Sequence, residues 1–281
     1  MPRPPKATEN PTSTALVDWD AEMARQADVA AGMEASTGGG QFFSTRGGIL
    51  SFNDMPIPGN RMAVVIADAA LENVFYEGKF DAATPKPPTC FAFGRDEAAM
   101  APHETVVAAG QAQAATCGEC PLNEWASAET GRGKACRNTR RLALVSAGEL
   151  DDRGAFTPYE DRHFETSPLA FLKLPVTSVR GYSTYVKQIA GALRRPAYGV
   201  FTEVKVVQDA KTQFRILFSP LGSVPASLMS AVSARHSEAE KSIEFPYKLD
   251  FEEPAAPPPP KTAARGTVGR ATAPRAAGKK F

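Results

Sequence analysis

The sequence predicts a β-rich α+β fold with flanking helices, on three observations. Short apolar segments bounded by Gly, Pro, Asn and Asp recur through residues 41–218, as in a series of short strands. Two longer segments, 179–193 and 225–243, repeat their apolar residues at helical spacing. Strands and helices do not alternate along the chain, which argues against a doubly wound α/β sheet.

The predicted elements follow in a simple order. Strands are expected at 49–52, 61–67, 72–77, 141–145 and 169–174, and a hairpin of two further strands at 200–207 and 213–218. The first helix ends before Pro196, and the second opens near Ser223 as an N-cap. A helix between the third and fourth strands of a small closed barrel is the layout of an OB-fold-like barrel, although five to seven short strands equally suit a sandwich.

The 281-residue chain divides into three regions. Residues 1–40 are predicted to be a flexible segment with a helix over 15–34, and residues 41–253 an OB-like domain with an inserted cysteine module at 88–141. Residues 254–281 are a disordered basic tail rich in Pro and Ala. Positions 261–281 hold six of the 32 Lys and Arg residues and no acid, which leaves 26 basic against 31 acidic residues elsewhere. A nucleic-acid surface would therefore be a local patch.

All four cysteines lie in one window with the spacing C-x26-C-x2-C-x15-C: Cys90, Cys117, Cys120 and Cys136. A CxxC turn joined by two further thiolates predicts a tetrahedral structural zinc site. An iron–sulfur cluster is the alternative, because it is also held by four thiolates. Disulfides are disfavoured because the polar N-terminus lacks a secretory signal, and four unrelated thiols would be expected to scatter. His103 is close enough in sequence to replace one thiolate.

Five cations cluster in the second half of the cysteine module: Arg132, Lys134, Arg137, Arg140 and Arg141. A basic loop held by a metal would follow a phosphate backbone, and the nearby Trp125 offers a ring for base stacking. A second candidate surface is the Gly-rich segment 38–48, which carries Phe42, Phe43 and Arg46. The competing interpretation is ordinary packing, in which the phenylalanines fill the barrel end and the arginines are merely solvated.

Several segments resemble a family of tailed-bacteriophage proteins described as single-stranded DNA-binding proteins: GGILSF (47–52), FYEGK (75–79), PTCF (88–91), CGECPLNEW (117–125), GRGKACR (131–137) and LKLPVTS (172–178). The resemblance covers about residues 36–220, and the cysteine module is its most specific part. It implies that the four cysteines are metal ligands and that the basic loop contacts single-stranded DNA, in phage replication or recombination within the host cytoplasm. Phage replication proteins are further implied partners.

One feature departs from that resemblance. Phage and bacterial single-strand binders with OB-folds typically end in an acidic tail that recruits replication enzymes. This chain ends in a basic tail that closes with Phe281. The departure predicts a tail that adds nonspecific affinity for DNA.

The sequence favours a binding protein over an enzyme. Glu203 and Lys205 form an E-x-K pair like that of metal-dependent nucleases, but no Asp lies between Asp161 and Asp209 to complete it. A nuclease or an iron–sulfur DNA-processing enzyme remains one alternative, and a noncatalytic adaptor in phage replication or transcription is another. Since no stretch approaches ~18 apolar residues and no signal peptide is present, we expect a cytoplasmic location and no membrane partner.

Overall fold

The computed structural model describes residues 42–78, 86–129 and 131–247, together with the helical residues 19, 22, 23, 25 and 26. The three ranges contain ten strands: β1 (Phe42–Ser44), β2 (Ser51–Phe52), β3 (Met55–Pro56), β4 (Arg61–Phe75), β5 (Cys90–Gly94), β6 (Arg137–Leu150), β7 (Phe156–Pro158), β8 (Ala170–Leu174), β9 (Val200–Asp209) and β10 (Gln213–Ser223). They also contain four α-helices: α1 (Glu104–Ala108), α2 (Asp161–Thr166), α3 (Val176–Leu193) and α4 (Met229–Ser242). The remainder of the predicted N-terminal helix and the predicted tail 254–281 lie outside the described residues.

The strands form one mixed sheet in the order β10-β9-β4-β6-β8-β1-β2-β3, with β5 added beside β4 and β7 beside β6. Neighbouring strands are antiparallel except β1 and β8, which are parallel. The predicted β-rich α+β class is confirmed. Within the described residues the end strands β10 and β3 do not pair with each other, so the sheet is open and the closed barrel of an OB-fold stays a prediction.

The longest strand, β4, organises the sheet. Residues 61–65 pair with β9 and residues 71–75 pair with β5, while β6 pairs along nearly the whole of the other edge. The sequence predicts two strands here, at 61–67 and 72–77. The structure joins them into one because the intervening residues, from Asp68 to Leu71, remain paired with β6 after a register shift between Ile66 and Asp68.

Helices cover both faces of the sheet, which explains why β4 is apolar along most of its length instead of alternating. On one face β4 packs with α4 through a core that includes Ala63, Val65 and Val232. On the other face it packs with α3 through a core that includes Val64, Ile66, Tyr185 and Ile189. Each fully buried aliphatic side chain of this kind contributes about 1.5–3 kcal/mol.

The other element predictions compare well with the structure where the segments are long. The helix predicted at 179–193 is α3, and it ends at Leu193 with Arg194 in the left-handed region at φ 54°. The second helix begins at Met229 because Ala226–Leu228 forms a 3-10 turn first. Six elements were not predicted from the sequence, because each is too short to show a reliable period: β1, β3, β5, β7, α1 and α2.

A buried ion pair joins β4 to β6. Glu72 and Arg141 are 0% and 1% exposed, and Arg141 Nη2 lies 2.7 Å from Glu72 Oε1. The Arg141 guanidinium lies between two rings, with Cζ 4.3 Å from the centroid of Phe93 and 4.2 Å from that of Phe245. Its Nη1 donates to the backbone carbonyls of Ile243 and Phe245 at 3.1 and 2.8 Å.

A short hydrogen-bond chain completes this network. The Tyr247 hydroxyl donates to Glu72, and Lys173 Nζ donates to the Tyr247 hydroxyl at 2.8 Å. Burial raises the pKa of Tyr247 and lowers the pKa of Lys173. The segment after α4 is therefore held against the sheet by polar contacts at both of its ends.

Within the described ranges, no helix has the length and apolarity needed to cross a bilayer.

We predict that Arg141→Met lowers the free energy of unfolding by about 3–5 kcal/mol, because the buried Glu72 carboxylate loses its nearest cation and keeps only the Tyr247 and Thr139 hydroxyls and Lys173 Nζ at 3.7 Å. Urea denaturation followed by circular dichroism measures the change. The matched control is Arg162→Met, which removes an exposed arginine on α2. The double variant Glu72→Leu/Arg141→Met should regain most of the loss. An Arg141→Met protein as stable as the control would contradict the prediction.

Candidate metal centre and adjoining basic surface

Strand β4 brings the two outer cysteines together. Cys90 is the first residue of β5 and lies opposite Phe75, while Cys136 immediately precedes β6, whose first residue lies opposite Val74. Because β5 and β6 flank the same end of β4, two cysteines 46 positions apart reach the same end of the sheet. The inner pair, Cys117 and Cys120, lies on the turn that leads into the 3-10 segment Pro121–Asn123.

The four thiols share one small cavity. A cavity of about 20 Å³ is lined by Cys90, Cys117, Cys120 and Cys136, together with residues that include Asn73 and Asn123. That volume is about the size needed for a single water molecule or ion. In the described part of the chain, no three His, Cys, Asp or Glu side chains stand in an arrangement that would already hold a metal ion. The four thiols are therefore neighbours around one space without forming a closed tetrahedron.

The electrostatics of this cavity disfavour ionisation of several of its thiols at once. Burial raises the pKa of Cys90 and of Cys117, and the neighbouring thiols raise both further. Burial and the same neighbours raise the pKa of Cys136 to about 12, with only a small opposing effect from Lys134. Four thiolates in this space would need a cation among them.

Asn73 supplies a polar group aimed at the same cavity. Its Oδ1 accepts from Asn138 Nδ2 at 2.6 Å, which fixes the amide orientation. Its Nδ2 is buried without a hydrogen-bond partner, and its nearness to Cys117 partly offsets the effect of burial on the pKa of that thiol. A thiolate at Cys117 would satisfy this donor, as outer groups do around bound metals. The donor set therefore fits a thiolate-bound metal ion.

Hydrogen bonds tie the surface loop 117–136 to the cysteines. Asn123 Nδ2 donates to the Cys117 carbonyl at 2.7 Å, and the Cys136 N–H donates to the Leu122 carbonyl at 2.8 Å. Lys134 Nζ in turn donates to Asn123 Oδ1 at 3.2 Å. The same loop presents Trp125, whose side chain is 77% exposed, with Lys134 Nζ 6.0 Å from its ring centroid. The cysteine geometry thus positions a tryptophan and a cation at the surface.

The five predicted cations divide between surface and interior. Arg132 and Arg137 are exposed, and the Arg137 guanidinium lies 5.8 Å from the centroid of Tyr76. Arg140 is half-buried, and burial lowers its pKa. The prediction that Arg141 contacts nucleic acid is wrong, because its side chain is enclosed by Glu72 and aromatic rings and no surface is left for a phosphate.

The second predicted surface is mainly a packing site. Phe42 packs on Phe171 and Phe245 with centroids 5.7 and 5.6 Å away, and Phe43 packs on Phe52 at 4.8 Å. Arg46 is exposed at the start of a turn where Gly47 and Gly48 have φ values of 64° and 78°. Strand β1, which carries the two phenylalanines, lies two strands away from β6 in the sheet order. The packing interpretation therefore describes the phenylalanines, and Arg46 alone remains available to a ligand.

Two further residues named from the sequence have structural partners. His103 caps α1 through Nδ1, which accepts from the Thr105 N–H at 3.3 Å and lies 2.9 Å from the Thr105 hydroxyl, and its ring stacks on Phe91 at 5.2 Å. It does not line the cysteine cavity. Glu203 lies on β9 with Oε1 3.6 Å from Arg61 Nη1.

Sequence reasoning missed Asn73, Glu72 and Tyr247. The one available signal was the polar pair Glu72–Asn73 inside an apolar strand, a position that usually requires a specific partner.

No protein-family model, curated protein or solved structure shows significant similarity to this chain.

We predict that Cys136 resists alkylation in folded, metal-free protein. Because its pKa of about 12 lies above the ordinary value of 9.0, the thiol stays neutral to higher pH and its thiolate fraction at pH 8 falls about a thousandfold. The rate with iodoacetamide should rise steadily from pH 8 to beyond pH 10, measured by mass spectrometry of the Cys136 peptide. The same protein in urea is the control, and its rate should reach half its maximum near pH 9 and level off about one pH unit higher. A folded protein that levels off at the same pH would contradict this.

Proposed function

We propose that this protein binds single-stranded DNA with little sequence preference, through the loop 117–136 that is held by a structural zinc ion on the four cysteines. The observation that carries the proposal is the exposed Trp125 beside Lys134, on a loop whose backbone is hydrogen-bonded to Cys117 and Cys136. A large exposed ring on a braced loop is already positioned to stack on a base. The resemblance to phage DNA-binding proteins supports DNA replication or recombination as the setting.

The zinc part of the proposal depends on the donor set and the size of the cavity. Cys90, Cys117, Cys120 and Cys136 would hold the ion, which would supply the positive charge that stabilises their thiolates. A space of about 20 Å³ suits one ion better than a cluster of several iron and sulfide atoms. Asn73 would donate to the Cys117 thiolate from outside the ligand set.

The DNA part depends on complementary chemistry at the surface. Bases of a single strand expose their faces and stack on aromatic rings regardless of sequence, which the exposed indole of Trp125 permits. Arg132, Lys134 and Arg137 would contact the phosphates on either side. An OB-like arrangement of β4, β6, β8, α3, β9 and β10 would agree with this function, because OB-folds commonly bind oligonucleotides.

For the metal, we predict that about one zinc ion per chain copurifies with the protein, as measured by elemental analysis. Cys120→Ser should lose the zinc and destabilise the module, because the thiolate set is broken. Asn73→Ala should keep the fold and weaken zinc binding about 10- to 100-fold in competition with a chelator. Iron in place of zinc, with visible absorption, would instead establish the iron–sulfur alternative.

For DNA, we predict that Trp125→Ala weakens binding to an oligothymidine by roughly 5- to 150-fold, which is the loss of about 1–3 kcal/mol of stacking. Trp19 and Trp125 are the two tryptophans, so Trp19→Phe makes Trp125 the single reporter. In that background the oligonucleotide should quench the fluorescence, and Trp19→Phe alone should leave the affinity unchanged. Arg137→Ala should reduce the slope of log K against log salt by about 0.7.

The same titrations identify the competing functions. Equal binding of single-stranded and duplex oligonucleotides, or an unchanged affinity in Trp125→Ala, would contradict the proposed surface. Cleavage of the oligonucleotide with added Mg²⁺, lost in Glu203→Ala, would establish the nuclease alternative.

A further inference from the structure

A groove of about 450 Å³ lies between helix α3 and strand β10, outside the cysteine module. Its helix side includes Arg180, Thr184 and Gln188, and its strand side includes Arg215, Leu217 and Phe218. Strand β10 pairs only with β9 in the described sheet, so its second edge faces the helix. The Ile216 N–H of β10 donates to Ser178 Oγ of α3 at 3.0 Å. This hydrogen bond joins the strand to the helix.

The groove is a local region of positive charge. The charged residues among those that line it are two arginines, Arg180 and Arg215. Arg180 and Lys187 are exposed on α3, and neither forms an ion pair with a described residue. The ion pair of Arg215 with Asp209 spans 3.9 Å, and no acidic side chain lines the groove in the part of the chain that is described. The charge therefore favours an anionic ligand.

The floor of the groove is aromatic and rigid. The Phe218 ring stacks on Tyr185 with centroids 5.8 Å apart, and Tyr182 meets its edge at 5.2 Å. The Tyr185 hydroxyl is fixed in turn by Thr202 Oγ1 at 2.6 Å. Leu217 is exposed beside this floor. The groove thus combines two exposed guanidinium groups with apolar and aromatic surface.

We propose that this groove is a second binding surface for single-stranded nucleic acid, separate from the cysteine module. Arg180 and Arg215 contact phosphates, and the surface around Leu217 and Phe218 receives bases. A duplex keeps its bases stacked inside and offers only phosphates to such a groove, whereas a single strand satisfies both parts of the lining. The inference rests on the proposed function for its class of ligand, but it depends on different residues.

Charge reversal tests the phosphate contacts. Arg180→Glu/Arg215→Glu should weaken binding of an oligothymidine by at least about tenfold and reduce the slope of log K against log salt by about 1.4. The matched control is Arg153→Glu/Arg162→Glu, which makes the same change in net charge at two exposed arginines outside the groove. The control should change the affinity by no more than about twofold at moderate salt.

Two substitutions at Gly181, one small and one large, test the groove without a change of charge. A Cβ at Gly181 would have the Ile216 carbonyl oxygen, at 3.8 Å, as its nearest neighbour, which is ordinary contact. Gly181→Ala should therefore fold and bind normally, with a helix at least as stable as the native one. Gly181→Met should also fold, but its side chain fills the groove and should weaken binding severalfold.

The outcomes separate this inference from the proposed function. If Trp125→Ala weakens binding while both groove variants match their controls, the groove inference fails and the module surface stands. If the groove variants weaken binding and Trp125→Ala does not, the groove stands and the module surface fails. Absence of any binding by the native protein overturns both. An equal loss of binding to poly-glutamate in Arg180→Glu/Arg215→Glu would show a general anion surface and overturn the assignment to nucleic acid.

Discussion

The buried ion pair between Glu72 and Arg141 is the main constraint on how β4, β6 and the segment after α4 assemble. Removing two charges from water costs several kcal/mol for each ion, so the pair is tolerated only when its geometry is good and its other groups are satisfied. Here the two Nη groups donate to Glu72 and to two backbone carbonyls beyond α4, the guanidinium lies between two phenylalanine rings, and Nε alone is buried without a hydrogen-bond partner among the described residues. The Arg141 side chain of β6 thereby contacts Glu72 on β4, Phe93 on β5 and the segment after α4.

That constraint also sets the register that assembles the cysteines. The Thr139 hydroxyl donates to the backbone and approaches the carboxylate of Glu72, which fixes β6 against β4 at this point. With that register, Val74 lies opposite Arg137 and Phe75 opposite Cys90, so Cys136 and Cys90 meet at one end of β4. A slip of one residue would turn every side chain of β6 to the other face and separate the thiols. The shared cysteine cavity is therefore a consequence of strand pairing as well as of cysteine spacing.

The sequence predicted what depends on local pattern and missed what depends on long-range pairing. The helix α3 and the hairpin β9–β10 have clear periods and stop signals, so their positions followed directly. The approach of four thiols to one cavity agrees with the C-x26-C-x2-C-x15-C spacing. Arg141 was misassigned because a run of arginines gives no sign of which one faces inward. Its partner, Glu72, lies 69 positions earlier, and only the sheet brings the two together.

The charge distribution determines over what distance this protein would attract a polyanion such as single-stranded DNA. With a formal net charge of only +1, the chain has no global field to attract nucleic acid over long distances. Attraction must come from local surfaces, and a Debye length of about 8 Å at physiological salt confines each surface to its own neighbourhood. If the loop at Trp125 and the groove at Arg180 bind DNA as proposed, they would act independently, and a single strand long enough to reach both would gain affinity from their connection. Binding should then increase with oligonucleotide length more steeply than one surface alone allows.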